Sequence, residues 1–343
     1  MPRLANGKGG KMISKGWTTI RVGFAALGLA VAMSTAGVLT AQATAGPPPA
    51  GQAPAGGGPP GGGAAAAAAA MKAPFPPFHI IGNIYYVGSA GLSCYLITTP
   101  AGNILLDTGY PDMAPMIEGN IKALGFKLED TKLLINSHAH IDHGGGMAQI
   151  KMDTGGKLVA MAQDAPYFES GGHNDVLFGD RNLFPPVHVD RVIHDSDTVT
   201  LGGVTLTAHL TPGHTPGNTT WTMVMQDKGK SYNVVFFGIV TPFPNTNLGA
   251  VNPAYPNMAA DWALTMRVLP TLPCDVFLGS NASFYDMQKK HDALMQGADP
   301  NPFIDPAGCK AYVDRGEATY QKLLTIPPGA AVGPPPGGAP PTR

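Results

Sequence analysis

An α/β fold of the layered α+β kind is predicted by three observations. Short apolar segments of strand length alternate with helix-spaced segments through residues 74–326. Glycine, proline and alanine dominate the sequence on both sides of that stretch. Within it, one apolar segment runs straight into a loop crowded with histidines, which marks a rigid strand carrying a functional loop.

Taken in chain order, residues 80–87 read as an opening strand. Residues 93–98 and 103–106 read as a hairpin around Pro100-Ala101-Gly102. Met116, Ile117, Ile121 and Leu124 have helical spacing over 114–124, and Gly125 ends that helix. Lys132-Leu133-Leu134-Ile135-Asn136 is the strand that delivers the histidine loop. A helix over 146–152, a strand over 157–161 and a helix over 163–170 follow. Residues 171–187 are polar, aromatic and broken by proline, a long loop of the kind that carries function in compact domains. Strands are expected over 191–193, 198–201, 204–210, 218–226, 232–237 and 276–278, with helices over 258–269 and 308–324. Sheets covered by helices are the arrangement that buries these faces.

The histidine loop is Ser137-His138-Ala139-His140-Ile141-Asp142-His143-Gly144-Gly145-Gly146. Neutral imidazole and carboxylate are common zinc ligands. His138 and His140, two apart in extended backbone, point to one side. Asp142 and His143 follow as the chain turns and can aim at a second, adjacent point. The bland alternative is a solvated histidine-rich loop, against which stand the strand before it and the glycines after it. His214 lies between two Pro-Gly pairs in Leu210-Thr211-Pro212-Gly213-His214-Thr215-Pro216-Gly217. With His138 and His140 it would complete a tri-histidine site whose fourth position is open, as catalytic zinc requires. Asp107, at the end of an apolar strand, reads either as a solvated turn residue or as a carboxylate that hydrogen-bonds the site's loops.

Residues 1–45 combine a basic start, the apolar run 22–33 and the small-residue sites Ala41-Gln42-Ala43 and Ala43-Thr44-Ala45. That is the pattern of a signal peptide; a retained anchor is the alternative, for which the run is short against the roughly 20 apolar residues a spanning helix needs. Export to the periplasm or medium is therefore expected, with no stable membrane insertion after cleavage. Residues 46–73 and 327–343 are expected as disordered linker and tail, because they lack apolar surface to offset ordering entropy. The formal net charge is −1, with 22 basic against 23 acidic residues, so no basic stripe marks a nucleic-acid partner. No long apolar helix suggests an obligate assembly, and a monomer is expected. Of Cys94, Cys274 and Cys309, Cys94 lies in an apolar strand pattern and reads as a buried free thiol. Cys274 and Cys309 would then pair, the alternative being three reduced thiols.

Together, His138-x-His140-x-Asp142-His143, Leu106-Asp107-Thr108-Gly109 and Gly213-His214-Thr215 resemble the pattern of the metallo-β-lactamase superfamily. Phe168-Glu169-Ser170-Gly171-Gly172, Phe184-Pro185-Pro186-Val187, residues 195–210, Thr211 to Gly217, and Asn252-Pro253-Ala254-Tyr255-Pro256 are similar to the third subclass of class B β-lactamases. The resemblance spans roughly residues 80–324. It implies an αββα sandwich with the metal site at one edge, and a disulfide at Cys274 and Cys309. It implies that His138, His140 and His214 hold a first zinc and that Asp142 and His143 supply two of three ligands to a second. A zinc-bound hydroxide would attack the β-lactam carbonyl, with Asp142 orienting it, and the activity would confer resistance to β-lactam antibiotics.

Two positions depart from that pattern. Asn281, in Phe277-Leu278-Gly279-Ser280-Asn281-Ala282-Ser283-Phe284, stands where the family has the last histidine ligand. An amide oxygen is a weaker zinc donor than imidazole, so one tightly bound zinc is expected and a second that is weak or absent. Ile239 stands where the subclass carries a serine, and it cannot hydrogen-bond a substrate carboxylate. Phe178, Ile239 and Asn281 are the candidate pocket residues, with ordinary core packing the alternative for Phe178. Another hydrolase on the same scaffold, a lactonase or thioester hydrolase, and a non-catalytic zinc- or ligand-binding protein are the competing functions.

Overall fold

In the strands that lead to the histidine loop, side chains of alternating parity are apolar on both faces. In β4 (Gly102–Leu106), Ile104 and Leu106 face one core and Leu105 another; in β6 (Lys157–Met161), Val159 and Met161 face the first core, and Leu158 and Ala160 the second. A strand buried on both faces needs a layer on each side, and the computed structural model provides them. It describes residues 62–328 and 330, all within one compact unit; the expected leader at 1–45, residues 46–61 of the expected 46–73 linker and most of the expected 327–343 tail lie outside the described residues.

The first sheet has seven strands in sequence order: β1 (Phe78–Ile81), β2 (Ile84–Tyr86), β3 (Tyr95–Thr99), β4, β5 (Thr131–Ile135), β6 and β7 (Arg191–Ile193). Neighbours are antiparallel up to β4 and parallel from β4 to β7. The second sheet runs β12-β11-β10-β9-β8, from β8 (Thr198–Leu201), β9 (Val204–Leu210), β10 (Thr219–Asp227), β11 (Lys230–Phe237) and β12 (Val276–Gly279). Inward residues of the two sheets, such as Ile104, Ile135, Leu206, Trp221 and Phe236, form the central core.

Helices cover the outer faces. α2 (Ala114–Ala123), α4 (Met147–Thr154) and α5 (Ala165–Ser170) pack Ile117, Ile121, Ile150 and Phe168 against Leu105, Leu134 and Leu158. α6 (Met258–Val268) and α8 (Pro306–Leu324) share a smaller core through Trp262, Met266, Tyr320 and Leu323, and Tyr312 of α8 packs edge-on against Phe237. The result is the expected helix–sheet–sheet–helix sandwich.

Three sequence expectations need correction. The strand expected over 80–87 is two strands, because the backbone turns at Gly82, with φ +56°, in the middle of an apolar run. Part of the segment expected as disordered linker is helical: α1 (Gly62–Met71) contains a run of alanine, the strongest helix former. It ends with Met71 O accepting the amide of Gly91. The helix α7 (Met287–Met295) was not expected at all. Cys274 and Cys309 are disulfide-bonded, with Cα atoms 6.4 Å apart across a sequence separation of 35, and Cys94 is a buried free thiol.

Candidate metal centre

β4, β5 and β6 run parallel, and each ends in a residue or loop that builds the site at the same edge: Asp107, the histidine loop and Asp164. This is the edge where parallel sheets present their loops. The histidine loop is held from the second sheet as well. Thr219 N donates to Ser137 O at 2.7 Å, and the buried Trp221 Nε1 donates to Asn136 O at 2.8 Å. After His140 the chain enters the short helix α3 (Ile141–Gly144), which turns Asp142 and His143 toward the site. The glycines after it permit close backbone contact; a Cβ at Gly146 would lie 2.7 Å from Thr108 O.

Three imidazoles converge. The ring nitrogens of His138, His140 and His214, all buried, lie within 4.8 Å of one another. His140 Nδ1 and His214 Nε2 are 3.0 Å apart. His138 Nδ1 lies 3.1 Å from Ser137 Oγ, while its buried Nε2 has no hydrogen-bond partner among the described residues. Such an orphaned nitrogen, facing two others, is the environment a cation satisfies. Burial first, then repulsion from neighbouring imidazoles, holds His138 and His214 well below the usual histidine range. Both are neutral near pH 7 and open to a metal without displacing a proton. Three converging imidazole nitrogens fit zinc.

A second group joins His138, Asp142 and His143. His138 Nε2 can serve one metal at a time, so Asp142 Oδ2 and His143 Nε2, 3.5 Å apart, remain for a second position. Burial opposes charge on His143, but Asp142 and Asp107 outweigh it and raise its pKa, so protons compete with metal there. Asn281, at the far end of β12, pairs with Leu92 through an isolated bridge, and its Oδ1 accepts from Ser280 Oγ at 3.4 Å.

Asp107 is buried and ties the loops together rather than capping a solvated turn. Its Oδ1 accepts from Ser137 N and its Oδ2 from Ser137 Oγ, both at 2.7 Å, and Oδ2 lies 3.2 Å from His143 Nδ1. It stands at φ +61°, a backbone conformation that costs energy outside glycine and is held here by those three bonds. The His143 Nδ1 proton is thereby directed at Asp107 and Nε2 is left free.

Three further residues shape the site without any sequence signal strong enough to single them out. Asp164 is fully buried. Its Oδ2 accepts from Ala139 N and Thr215 Oγ1 at 2.8 Å and its Oδ1 from Gly217 N at 2.7 Å, so it clamps the His138–His140 loop to the His214 loop. Asp175, in the 171–187 loop, places Oδ2 3.0 Å from His140 Nε2. Phe243 packs edge-on to His214 with ring centroids 5.2 Å apart, opposite Phe178, which does the same to His140 at 5.0 Å. Position at the end of β6 was the one available clue to Asp164. Ile239 is turned into the apolar cluster of α6 and α8, and its amide is held by Asn218 Oδ1 at 2.9 Å. Beside the aromatic pair lies a cavity of about 330 Å³, lined by Leu177, Phe243, Asn247 and Met258 among others.

A two-layered sandwich with a buried histidine and carboxylate cluster at the end of its parallel strands defines a metallohydrolase class of protein. A family model of the metallo-β-lactamase superfamily matches residues 90–225. The structure is similar to native FEZ-1 metallo-β-lactamase from Legionella gormanii, at 45% identity and TM-score 0.72, covering 74% of this chain and 97% of that one. It is similar to BJP-1, a subclass B3 enzyme of Bradyrhizobium japonicum, at 42% identity and TM-score 0.69, covering 74% and 96%. It also resembles the class B3 di-zinc enzyme LRA-12 from an Alaskan soil metagenome, at 39% identity and TM-score 0.71, covering 75% and 97%. The chain belongs to the metallo-β-lactamase superfamily. Among curated proteins, N-acyl homoserine lactonase of Bacillus thuringiensis is 28% identical over 148 residues, 36% of this chain; the chain spans about half the length of that relative, 55%.

Proposed function

We propose that this protein is a zinc-dependent β-lactamase working from the His138–His140–His214 site, exported to the periplasm or medium, and conferring β-lactam resistance. The observation that carries the reading is the convergence of three buried imidazoles, one with an orphaned Nε2, in a chain similar over nearly the whole length of class B3 enzymes. Zinc at this site would polarise the lactam carbonyl and bring the deprotonation of water near neutral pH. Asp142, with its side chain 29% exposed beside that site, is placed to orient the attacking water and to carry its proton to the leaving nitrogen. Asp107 and Asp164 hold the ligand loops in register, and Phe178 and Phe243 exclude water from the two histidine rings they cover.

One zinc is held tightly and a second weakly. Asp142 and His143 are a two-residue remnant, His143 favours its proton, and Asn281 offers only an amide oxygen. Asn281→His is expected to raise zinc content from about one toward two per chain and to alter turnover, read by elemental analysis and steady-state kinetics on one sample. Unchanged metal content would remove Asn281 from the second position.

Export is supported by the leader-like residues 1–45 and by the Cys274–Cys309 disulfide, a bond that persists in oxidising compartments. No helix among the described residues is long and apolar enough to cross a membrane. A monomer is the proposed state. Lactone hydrolysis is the second reading, favoured by the similarity to homoserine lactonases and by Ile239, which offers no donor to a lactam carboxylate. Chelator-sensitive hydrolysis of a penicillin, a cephalosporin or a carbapenem supports the first reading. Zinc-dependent turnover of an acyl homoserine lactone alone would favour the second.

A further inference from the structure

Asp175 divides its two oxygens between two tasks. Oδ1 accepts the amides of Leu177 at 2.8 Å and Phe178 at 2.7 Å, and so closes the turn that presents Phe178. Its backbone carbonyl accepts the amide of Gly179 at 2.8 Å, tightening the same turn. Oδ2 faces His140 Nε2 at 3.0 Å. The carboxylate is buried, and the Phe178 ring lies against the ring of the same histidine.

We propose that Asp175 is a positioning residue that couples zinc capture at His140 to the placement of the 171–187 loop, and with it Phe178, over the pocket. The proposal rests on the zinc reading above. His140 directs Nδ1 at His214 Nε2, so as a ligand it offers Nδ1 and carries its proton on Nε2. That proton is the one Asp175 accepts. In the metal-free protein the other tautomer is open to His140, with Nδ1–H donating to His214 and a bare Nε2 lone pair facing the carboxylate. Zinc removes that tautomer and thereby strengthens the anchor of the loop. By linkage, a loop held in place favours the zinc-binding tautomer by the same factor.

Asp175→Asn separates this role from simple closure of the turn. An amide has one acceptor oxygen. Turned toward Leu177 and Phe178, it presents NH₂ to the His140 Nε2 proton; turned the other way, it presents NH₂ to the two backbone amides. Zinc affinity is read by competition with a chromophoric chelator. Loop placement is read by hydrogen exchange at Leu177, Phe178 and Gly179, with and without zinc. In the wild type, zinc is expected to raise protection at these amides. In Asp175→Asn, zinc affinity should fall about 10–100-fold, and saturating zinc should no longer raise protection. Wild-type zinc affinity in the variant, or protection in the wild type that ignores zinc, would overturn the proposal. Turnover of a β-lactam by the wild type is measured on the same sample. Absent turnover with the zinc-dependent protection intact would sink the lactamase reading alone, and intact turnover without that protection would sink only the coupling.

Discussion

Replacing His214 with alanine is expected to abolish tight zinc binding and hydrolysis together. Two ring nitrogens, His138 Nε2 and His140 Nδ1, would remain of the three that converge, and the latter would lose the nitrogen that faces it at 3.0 Å. Loss of a residue that merely orients a ligand costs about 10–100-fold in metal affinity, and loss of a ligand should exceed the upper end of that range. The fold should survive. His214 sits in a turn fixed by other contacts: Thr265 Oγ1 donates to Pro212 O, Asn218 Nδ2 donates to Thr211 O, and Gly213, at φ +129°, lies where a Cβ would meet Trp262 at 2.5 Å. Metal titration and a thermal melt of the metal-free variant check both halves. A variant that holds zinc as tightly as the wild type would exclude His214 from the site.

Asp164→Ala is expected to produce the largest loss of stability outside the apolar cores. Its removal strands three buried donors, Ala139 N, Thr215 Oγ1 and Gly217 N, and separates the two ligand loops. Unpaired buried donors cost about 1–3 kcal/mol each, so a loss of roughly 3–5 kcal/mol is expected after the carboxylate's own burial cost is recovered. Metal binding should weaken with it. Burial pushes the Asp164 carboxyl up to about 6, against the pull of its three hydrogen bonds. The folded protein thus holds this proton at pH values where the unfolded chain has lost it. The stabilisation is complete below the ordinary carboxylate range near 4 and is lost as pH rises through about 6, an amount of roughly 3 kcal/mol. Urea unfolding of metal-free protein at several pH values, compared with Asp164→Asn, should show that slope in the wild type alone.

The residues that converge at the candidate site were legible because the pattern is written in short range. His138, His140, Asp142 and His143 fall within six positions after an apolar strand, and His214 is framed by two Pro-Gly pairs. The layered fold was legible because strand-length and helix-spaced segments alternate, and the sandwich because the motifs resemble a family that has it; Leu158, Val159, Ala160 and Met161, apolar throughout, did not say which core each side chain would face. Asp164 and Asp175 were not legible. Each acts across the chain, on His-loop or turn residues brought near only by folding, and an isolated aspartate in a loop carries no local pattern. Phe243 was missed for the same reason. The turn at Gly82 was hidden because apolar residues continue on both sides of it. α7 was hidden because its sequence, Met287-Gln288-Lys289-Lys290-His291-Asp292-Ala293-Leu294-Met295, is mostly polar. For residues 62–71, composition pointed to a linker, while alanine's helix propensity decided the outcome.

The most direct test of the central claim is turnover of a penicillin, a cephalosporin and a carbapenem by metal-free protein titrated with zinc. The account predicts that hydrolysis of at least one appears in proportion to added zinc, saturates near one zinc per chain and disappears with chelator. Full zinc loading with no turnover of any of the three, or turnover that persists after the zinc is removed, would contradict it.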